Sequence, residues 1–355
     1  MNVLRIQMKT ILHVTEVLSG GVLPVISGIC NGLCDEYRFV VIYGDRDDVP
    51  KNLNEIFDPR VKLIYIPSLK LKISLKDDLS AIKEIRRCVK DEKPDIIHIH
   101  STKAGIDARV GLLGCKVTKY YTPHGFCFLR KDQNNIKRFI LKTMEKTLAK
   151  MCDGIIACGK YEYEVAKKIS TKAVLIENGL DTEFVDKALA EEELKEEKEH
   201  KYTVYTAGRI GPQKNPKLFN EIASNLPDYK FVWIGEGEDK NLLTSTNIEV
   251  TGLLSRRDVI KRAKNYDCYL STSLWEGLPI ALMEAMYMGK KCVVSDVEGN
   301  NELIKDGETG RVFDQIEEAC DFINNSDDYG ENVGNYIIMN YSIATMCEKY
   351  KKTYG

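Results

Sequence analysis

The segment Ser273-Leu-Trp-Glu276-Gly-Leu-Pro279-Ile-Ala-Leu-Met-Glu284 contains two carboxylates, one on each side of a predicted junction between a loop and a helix. The apolar run from Tyr266 to Leu270 predicts a buried strand, and Pro279 is expected to open an amphipathic helix that continues to Met288. On this interpretation Glu276 lies in the loop and Glu284 lies two turns into the helix. The segment therefore predicts a strand, a glycine-containing turn and a helix N-terminus.

A helix N-terminus that follows a strand and a turn is suited to bind an anion. Free backbone N–H groups in the segment from Leu278 to Ile280 are expected to point at the ligand, and the helix dipole favours an anion such as a diphosphate. A carboxylate beside an anion site is unusual unless it accepts hydrogen bonds from hydroxyl groups. Glu276 and Glu284 therefore predict a pocket for a nucleotide sugar.

A second loop carries the complementary positive charge. Gly208-Arg209-Ile-Gly-Pro-Gln-Lys214-Asn215 follows the apolar run Thr203–Ala207 and precedes a helical pattern. Arg209 can bind two phosphate oxygens with its planar guanidinium, and Lys214 supplies a compact charge. Cations near a turn are usually only solvated, so this loop gains meaning from its combination with Glu276 and Glu284.

Short β-branched runs alternate with helical patterns in both halves of the chain, which predicts parallel sheets built from βα units. The first series comprises Ile11–Val17, Val22–Cys34, Phe39–Tyr43, Leu79–Lys90 and Ile96–His100. The second comprises Thr203–Ala207, Pro216–Asn225, Lys230–Ile234, Ile248–Thr251, Arg257–Lys264, Cys268–Ser271, Pro279–Met288 and Lys291–Ser295. The expected fold is α/β, with two doubly wound, Rossmann-like domains that face each other across a cleft and bind ligands at the carboxyl ends of their strands.

Four segments are predicted along the chain. Residues 1–185 form an acceptor-side domain, and residues 186–201, rich in Glu and Lys, form a linker that is either an exposed helix or a hinge. Residues 202–334 form the nucleotide-sugar domain. Residues 335–355 form a terminal helical region that packs back on the N-terminal domain.

Composition narrows the class of protein. Lys and Arg outnumber Asp and Glu by 30 to 21 in residues 1–180, whereas the remainder is acidic, by 32 to 21. This asymmetry fits either a basic N-terminal half that faces an anionic partner or two well-solvated surfaces. The eleven scattered cysteines, never spaced Cys-x-x-Cys, argue against a disulfide framework or a zinc site. No membrane span or signal peptide is evident, so a cytoplasmic protein is expected. No nucleic-acid partner is expected.

The motifs together resemble the retaining GT-B glycosyltransferases of family 4. In the C-terminal half the resemblance rests on Gly208-Arg209, Lys214, Gly235-Glu-Gly237, Thr251-Gly252-Leu253, Glu276-Gly277-Leu278-Pro279 and Glu284. In the N-terminal half it rests on Ser19-Gly20-Gly21, Asp95 to Lys103, Tyr121 to Phe126, and Asn178-Gly179-Leu180-Asp181. The segments around His100 and His124 are most similar to those of bacterial enzymes that build capsule, O-antigen and exopolysaccharide.

The resemblance implies a role for each matching residue in the C-terminal half. Arg209 and Lys214 are expected to hold the diphosphate and stabilise the departing nucleoside diphosphate. Glu276 would contact hydroxyls of the transferred sugar, and Glu284 would accept the ribose hydroxyls. The remaining donor contacts implied are the segment Gly277-Leu278-Pro279 at the phosphate and Gly252-Leu253 at the base.

In the N-terminal half, the resemblance implies that Gly20 and Gly21 close against the phosphate and that His124 lies under the donor sugar. A satisfied histidine in a Pro-His-Gly turn is the alternative for His124, and any tight turn is the alternative for the two glycines. His100, Lys103 and Phe126 are the candidates on the acceptor side. His98 is interpreted as structural.

The resemblance also implies retention of anomeric configuration without a protein base, cofactor or metal ion. The departing phosphate would take the acceptor proton, and the cations with the helix N-terminus would neutralise its charge. Two alternatives are a UDP-sugar 2-epimerase of the same architecture, which consumes donor without acceptor, and a non-catalytic nucleotide-sugar binding module. The expected reaction moves a UDP-hexose or UDP-N-acetylhexosamine sugar to a lipid-linked or growing surface-polysaccharide acceptor.

Residues 126–150 contain a basic amphipathic pattern, with seven Lys or Arg residues interleaved with apolar ones. Such a helix either rests on anionic lipid as a peripheral membrane contact or packs on its domain with a solvated lysine face.

Overall fold

The computed structural model describes residues 8–191, 201–325 and 332–355. These residues divide into two units. The N-terminal unit contains the described residues up to Leu129, together with Gln133–Glu177 and Ile343–Gly355, and the C-terminal unit contains Arg130–Asp132 and Asn178–Ser342. Each unit is built on its own parallel sheet, so the α/β, doubly wound fold predicted from the sequence is confirmed.

The N-terminal sheet has seven parallel strands among the described residues, in the spatial order β3-β2-β1-β4-β5-β6-β7. The strands are β1 (Thr10–Thr15), β2 (Arg38–Asp45), β3 (Lys62–Lys70), β4 (Ile96–His100), β5 (Thr118–Thr122), β6 (Gly154–Ala157) and β7 (Ala173–Leu175). Six helices accompany this sheet before the chain enters the C-terminal unit at Asn178: α1 (Val22–Leu33), α2 (Leu53–Ile56), α3 (Leu75–Glu92), α4 (Thr102–Gly111), α5 (Asn135–Ala149) and α6 (Lys160–Lys167). Strands β1 and β4 are fully buried, which explains their nearly continuous apolar sequences.

The C-terminal sheet has six parallel strands among the described residues, in the order β10-β9-β8-β11-β12-β13. The strands are β8 (Thr203–Ala207), β9 (Lys230–Ile234), β10 (Ile248–Val250), β11 (Cys268–Ser271), β12 (Lys291–Ser295) and β13 (Arg311–Phe313). The helices are α7 (Thr182–Ala190), α8 (Pro216–Asn225), α9 (Arg256–Ala263), α10 (Ile280–Tyr287), α11 (Glu298–Leu303), α12 (Ile316–Asn324) and α13 (Asn332–Tyr341).

The final helix, α14 (Ile343–Tyr354), belongs to the N-terminal unit and packs on α1. Two glycines of α1 make this contact close, because a Cβ atom at Gly28 would lie 2.3 Å from Ile343 Cδ1 and one at Gly32 would lie 2.6 Å from Cys347 Sγ. The buried tyrosines Tyr350 and Tyr354 face the sheet. The last thirteen residues are therefore part of the N-terminal core.

The chain passes between the units at different residues from those expected. Apart from the short excursion at Arg130–Asp132, the chain enters the C-terminal unit between Glu177 and Asn178, upstream of the predicted linker 186–201. Residues 192–200 of that linker lie outside the described residues. Helix α7 groups with the C-terminal unit because it packs on α9 and because Glu191 forms ion pairs with Arg257 and Lys261. The terminal region 335–355 is itself divided at Ser342, since α13 packs on α10.

Strand order identifies a topological switch point in each sheet. In the C-terminal sheet the chain runs outward from β8 to β9 and β10, then returns to place β11 on the other side of β8. In the N-terminal sheet β1 and β4 have the same relationship. Doubly wound folds bind ligands beyond the carboxyl ends of such strand pairs.

Candidate functional site

The loop between β8 and α8 is shaped by backbone conformations that glycine and asparagine tolerate. Gly208 has a φ of +144°, and its carbonyl accepts a hydrogen bond of 2.9 Å from Trp233 Nε1. Asn215 has a φ of +50° and caps α8 through a hydrogen bond from Leu218 N. A short 3-10 turn, Pro212–Lys214, lies between them.

Lys214 forms an ion pair with Glu276, which lies in the loop after β11. Lys214 Nζ is 2.6 Å from Glu276 Oε1, and the Glu276 side chain is only 7% exposed. Ser273 Oγ also donates to Oε1 at 2.7 Å, and Gln213 Nε2 donates to Oε2 at 3.2 Å. Burial by itself lowers the pKa of Lys214, but the adjacent Glu276 carboxylate outweighs it and leaves that pKa raised. Lys214 is therefore charged at neutral pH.

The two loops are also joined through the backbone, which fixes their relative position. Leu274 N donates to Gln213 O at 2.8 Å, and Thr272 Oγ1 donates to Lys214 O at 2.7 Å. Lys214 and Glu276 therefore lie in two hydrogen-bonded loops that follow β8 and β11, the strands at the topological switch point.

Helix α10 begins at Ile280, with Pro279 as its N-cap, so the prediction that Pro279 is the first helical residue was wrong by one position. The reason is its ψ of +117°, which is extended rather than helical. No side chain caps this terminus, and the first intrahelical bond runs from Met283 N to Pro279 O. The N–H groups of the first turn therefore have no side-chain cap from the N-cap residue, and Pro279 itself contributes no N–H.

Close backbone packing surrounds the predicted contact Gly277. A Cβ atom at Gly299 would lie 2.3 Å from Gly277 O. Leu278, whose carbonyl accepts from Asn178 Nδ2 at 3.1 Å, is buried. Asn300 is fully buried and donates through Nδ2 to Ser295 O, while its Oδ1 atom has no partner among the described residues. The predicted phosphate-side segment is therefore closely packed against its neighbours.

Glu284 lies little more than one turn into α10, not two, because the helix starts at Ile280. Its carboxylate is buried and accepts a 2.6 Å hydrogen bond from Arg256 Nε. Arg256 also lies over the ring of Phe184, with Cζ 4.5 Å from the ring centroid, and its Nη2 atom is buried without a partner. Sequence reasoning missed Arg256, since a cation at the start of a surface helix carries no distinctive signal.

Arg209 and the base-side residues lie at the edge of this arrangement. Arg209 is 56% exposed and pairs with the exposed Glu238 at 2.8 Å rather than joining the Lys214–Glu276 pair. Gly252, at a φ of +78°, forms an isolated bridge with Gly235 at the end of β9, and the neighbouring Leu253 is 66% exposed. These side chains are accessible to a ligand.

In the N-terminal unit, the predicted glycines lie between β1 and α1. Gly20 has a φ of +51°, and Gly21 is the N-cap of α1. A Cβ atom at either position would meet no atom within 4 Å. Glycine is therefore needed at position 20 for backbone conformation, and the space beside both residues is open.

All three acceptor-side candidates are buried, so none of them can contact an acceptor without rearrangement: His100, Lys103 and Phe126. Phe126 is 1% exposed and stacks on Phe128 within the core. Lys103 is buried, and its ammonium lies 2.7 Å from Asp78 and 2.5 Å from Asp107. Apolar packing holds Phe126, two ion pairs hold Lys103, and hydrogen bonds to two other histidines hold His100, so none of the three side chains is presented to an acceptor.

The histidines lie on adjacent strands, with His13 in β1, His98 and His100 in β4, and His124 two residues after β5. His13 and His98 are opposite one another in the β1–β4 register, and His100 follows on the same face of β4. His124 is half-buried, with a φ of +51°, and its Nε2 atom lies 3.0 Å from His100 Nδ1. His98 is bound by Tyr354 and Thr122, in agreement with its structural interpretation.

Ring nitrogen atoms of His13, His98 and His100 lie within 4.8 Å of one another, a grouping that could in principle hold a metal ion. Five of the six nitrogen atoms are already engaged in hydrogen bonds, however, and His13 Nδ1 is 2.8 Å from His100 Nε2. The sixth, His13 Nε2, is buried without a partner. This arrangement fits a hydrogen-bonded network better than a ligand set.

Comparison with known proteins places the chain in a family. Residues 19–184 match the family model described as Glycosyltransferase Family 4, and residues 189–329 match the one described as Glycosyl transferases group 1. An Escherichia coli protein named UDP-Gal:alpha-D-GlcNAc-diphosphoundecaprenol alpha-1,3-galactosyltransferase is 32% identical over 336 residues, covering 85% of this chain and 86% of the relative. The chain belongs to glycosyltransferase family 4. This glycosyltransferase is also 26% identical, over 324 residues and 85% of each chain, to an uncharacterised protein encoded in the cps region of Klebsiella pneumoniae.

Solved structures agree on the fold of the glycosyltransferase. Sucrose-phosphate synthase from Thermosynechococcus elongatus superposes with a TM-score of 0.80 at 12% identity, covering 98% of both chains. Anabaena HepE in complex with UDP and glucose superposes with a TM-score of 0.77 at 15% identity, covering 97% of this chain and 99% of HepE. The glycosyltransferase therefore has the GT-B fold expected from its sequence.

Proposed function

We propose that this glycosyltransferase moves a hexose or N-acetylhexosamine from its UDP derivative to a lipid-linked or growing surface-polysaccharide acceptor, with retention of configuration. The observation that carries the proposal is the Lys214–Glu276 ion pair beside the uncapped N-terminus of α10. It juxtaposes a cation and free amides for a diphosphate with a carboxylate for sugar hydroxyls. The name of the Escherichia coli relative, which joins a UDP-sugar donor to a diphosphoundecaprenol acceptor, supports the same substrate classes.

On this proposal the C-terminal unit binds the donor. Lys214, Arg209 and the first amides of α10 neutralise the diphosphate, while Glu276 accepts from hydroxyls of the transferred sugar. Glu284 accepts from the ribose, and the exposed Leu253 contacts the base. Because negative charge grows on the phosphate as the glycosidic bond breaks, these positive groups stabilise the transition state more than the ground state.

The N-terminal unit contributes Gly20, Gly21 and His124 to the donor. In the retaining step the bond between the anomeric carbon and the phosphate oxygen breaks, and the acceptor oxygen attacks the same face. The acceptor proton passes to the departing phosphate, which balances charge without a protein base. Since Lys214, Arg209 and the helix N-terminus supply the positive charge, the reaction is proposed to need no metal ion.

A donor panel with and without acceptor tests this proposal. The protein is incubated with UDP- and GDP-sugars, in buffer containing a chelator, and release of nucleoside diphosphate is followed with and without lipid-linked diphosphate acceptors. Acceptor-dependent release and an α-configured product from an α-linked donor are expected. Epimerised donor without acceptor dependence would identify a 2-epimerase, and tight donor binding without turnover would identify a binding module.

We also propose that α5 rests on an anionic membrane surface, where a lipid-linked acceptor would be found. Three apolar side chains of this helix are strongly exposed: Ile136, Phe139 and Ile140. Basic residues surround them, which is the composition of helices that lie in the interface of anionic bilayers. Among the described residues, no helix has the length and apolarity needed to cross a membrane.

Flotation with vesicles of phosphatidylglycerol tests the membrane contact. Binding should weaken with salt and should be lost in the variant Phe139→Glu/Ile140→Glu. The control is Leu113→Glu, which places the same charge at another exposed apolar position of the same unit. Equal flotation of both variants, or no flotation of the unmodified protein, would contradict this role for α5.

A further inference from the structure

Four of the five histidines of the chain form one cluster in the N-terminal unit, and three of them are joined in series. His13 Nδ1 lies 2.8 Å from His100 Nε2, and His100 Nδ1 lies 3.0 Å from His124 Nε2. The rings of neighbouring members are stacked, with centroids 5.1 Å and 5.2 Å apart. The series runs from the fully buried His13 to the half-buried His124.

Only two proton arrangements satisfy both hydrogen bonds when all three rings are neutral. In the outward arrangement, His13 Nδ1–H donates to His100 and His100 Nδ1–H donates to His124, so that His124 carries its proton on Nδ1. In the inward arrangement every bond is reversed, and His13 carries its proton on Nε2. Each neutral imidazole has one N–H, so no mixed arrangement exists.

The inner end of the series distinguishes the two arrangements. His13 Nε2 is buried and has no partner among the described residues. In the inward arrangement this atom would be an orphaned N–H group, which is rare in protein interiors, whereas in the outward arrangement it is an unused acceptor, which is tolerated more often. We infer that His13 and His100 form a directed hydrogen-bond relay that fixes His124 as an Nδ1–H donor at the surface of the N-terminal unit.

Surrounding contacts hold the relay in place. His98 packs against His100, with ring centroids 4.0 Å apart, and is anchored by Tyr354 OH at 2.7 Å and Thr122 Oγ1 at 2.8 Å. The turn that carries His124 is fixed because Gly125 N donates to Glu162 Oε1 at 2.6 Å. The ring of His100 and the turn that carries His124 are therefore held by neighbours that do not take part in the relay.

The relay requires all three rings to be neutral, and burial keeps them neutral by lowering their pKa values. Burial lowers the pKa of His13 to about 3 and that of His124 to about 4. The pKa of His100 is lowered by burial and further by the adjacent histidines. All three rings are consequently neutral at physiological pH.

The role of the relay in catalysis rests on the proposed function. A hydrogen-bond donor at His124 Nδ1 is suited to the oxygen-rich nucleotide sugar of that proposal. An N–H with a fixed direction can donate to a hydroxyl or phosphate oxygen of the donor substrate, and it does not titrate as the reaction proceeds. His13 and His100 are then positioning residues, since they act through His124 and not on the substrate.

Nitrogen-15 NMR of the histidine side chains tests the relay without any activity measurement. With five histidines in the chain, single substitutions assign every resonance. The expected result is that His13, His100 and His124 all carry their proton on Nδ1 at pH 7.5. A proton on Nε2 of His100 would overturn the inference, whether or not the protein transfers sugar.

Two substitutions at the inner end extend the test. His13→Asn keeps an N–H donor near the position of Nδ1 and should preserve the tautomer of His124. His13→Leu leaves His100 Nε2 as an unused acceptor in the outward arrangement and as an orphaned N–H in the inward one, so His124 should keep its proton on Nδ1 in this variant as well. A proton on Nε2 of His124 in either variant would overturn the relay, whereas absence of transfer in the unmodified protein would overturn only the proposed function.

Discussion

The Lys214 ammonium lies 2.6 Å from Glu276 Oε1, and both side chains are largely withdrawn from solvent. Each charge therefore stabilises the other before any ligand binds. A diphosphate that approaches Lys214 and a sugar hydroxyl that donates to Glu276 would meet groups already oriented by the protein. Such preorganisation lowers the cost of reorganising charge during the reaction.

Replacement of Lys214 should affect turnover far more than folding. In Lys214→Ala, Glu276 keeps its hydrogen bonds from Ser273 and Gln213, so a loss of about 1–3 kcal/mol in unfolding free energy is expected. Turnover should fall by about a hundredfold, the scale of losing one charge-stabilising group. The measurement is steady-state release of nucleoside diphosphate, with Lys217→Ala on the exposed face of α8 as the control. Wild-type turnover in Lys214→Ala would contradict the phosphate role.

Arg209 offers a cleaner separation of catalysis from stability because its side chain is exposed. Its ion pair with Glu238 is at the surface, so Arg209→Ala should change the free energy of unfolding by no more than about 0.5 kcal/mol. Turnover should nevertheless fall by about a hundredfold. The matched control is Arg257→Ala, which removes a similarly exposed ion pair from α9. Equal activities of the two variants would exclude Arg209 from the diphosphate site.

Glu284 and Arg256 should be coupled in donor binding. Glu284→Gln keeps the side-chain volume and an acceptor for Arg256 but removes the charge that is expected to accept the ribose hydroxyls. The affinity for UDP, which contains the ribose, is measured by calorimetry and should weaken by about tenfold, equivalent to about 1.4 kcal/mol. Arg256→Gln and the double variant complete a cycle, in which non-additive changes would indicate that Arg256 orients Glu284. Unchanged affinity in Glu284→Gln would remove this residue from the ribose.

The buried histidines should make the N-terminal unit sensitive to mild acid. Burial lowers the pKa of His13 to about 3, whereas a histidine in the unfolded chain has a pKa of about 6.5. The unfolded chain therefore gains protons first as pH falls, so the stabilisation is complete above pH about 6.5 and is lost on acidification towards the folded value. At pH 5 the loss is about 2 kcal/mol for one such histidine.

Hydrogen-exchange mass spectrometry at pH 7 and pH 5, corrected for intrinsic exchange rates, measures this effect. Peptides from β1 and β4 should lose protection, while those from β8 and β11 serve as an internal control, since the C-terminal unit has no described histidine. His13→Leu should reduce the pH dependence. An identical pH dependence in the two units would contradict the role of the histidines.

Much of the fold could be predicted from local pattern. Strands β4, β8 and β9 match the predicted runs residue for residue, because buried parallel strands are short and β-branched and because glycine or polar residues end them. The division of the terminal region at Ser342 could not be predicted in this way. Helical periodicity is the same on both sides of that residue, and the partner of each helix is decided by distant packing.

The same distinction applies to the site. Loop motifs predicted that Lys214, Glu276 and the start of α10 belong together, because their strands are adjacent in a doubly wound sheet. The burial of Phe126 could not be inferred, since an aromatic residue after a Pro-His-Gly turn is equally compatible with a core or a surface. His13 was missed because it lies within an apolar strand, although its register with His98 and His100 would have suggested a cluster.

Helix α14 gives the N-terminal unit an unusual dependence on the order of synthesis. Tyr354, which anchors His98, is translated after the entire C-terminal unit. During synthesis on the ribosome, the face of α1 that binds α14 therefore stays uncovered until residues 343–355 emerge. The nascent enzyme cannot complete its histidine cluster before its C-terminal unit has been synthesised.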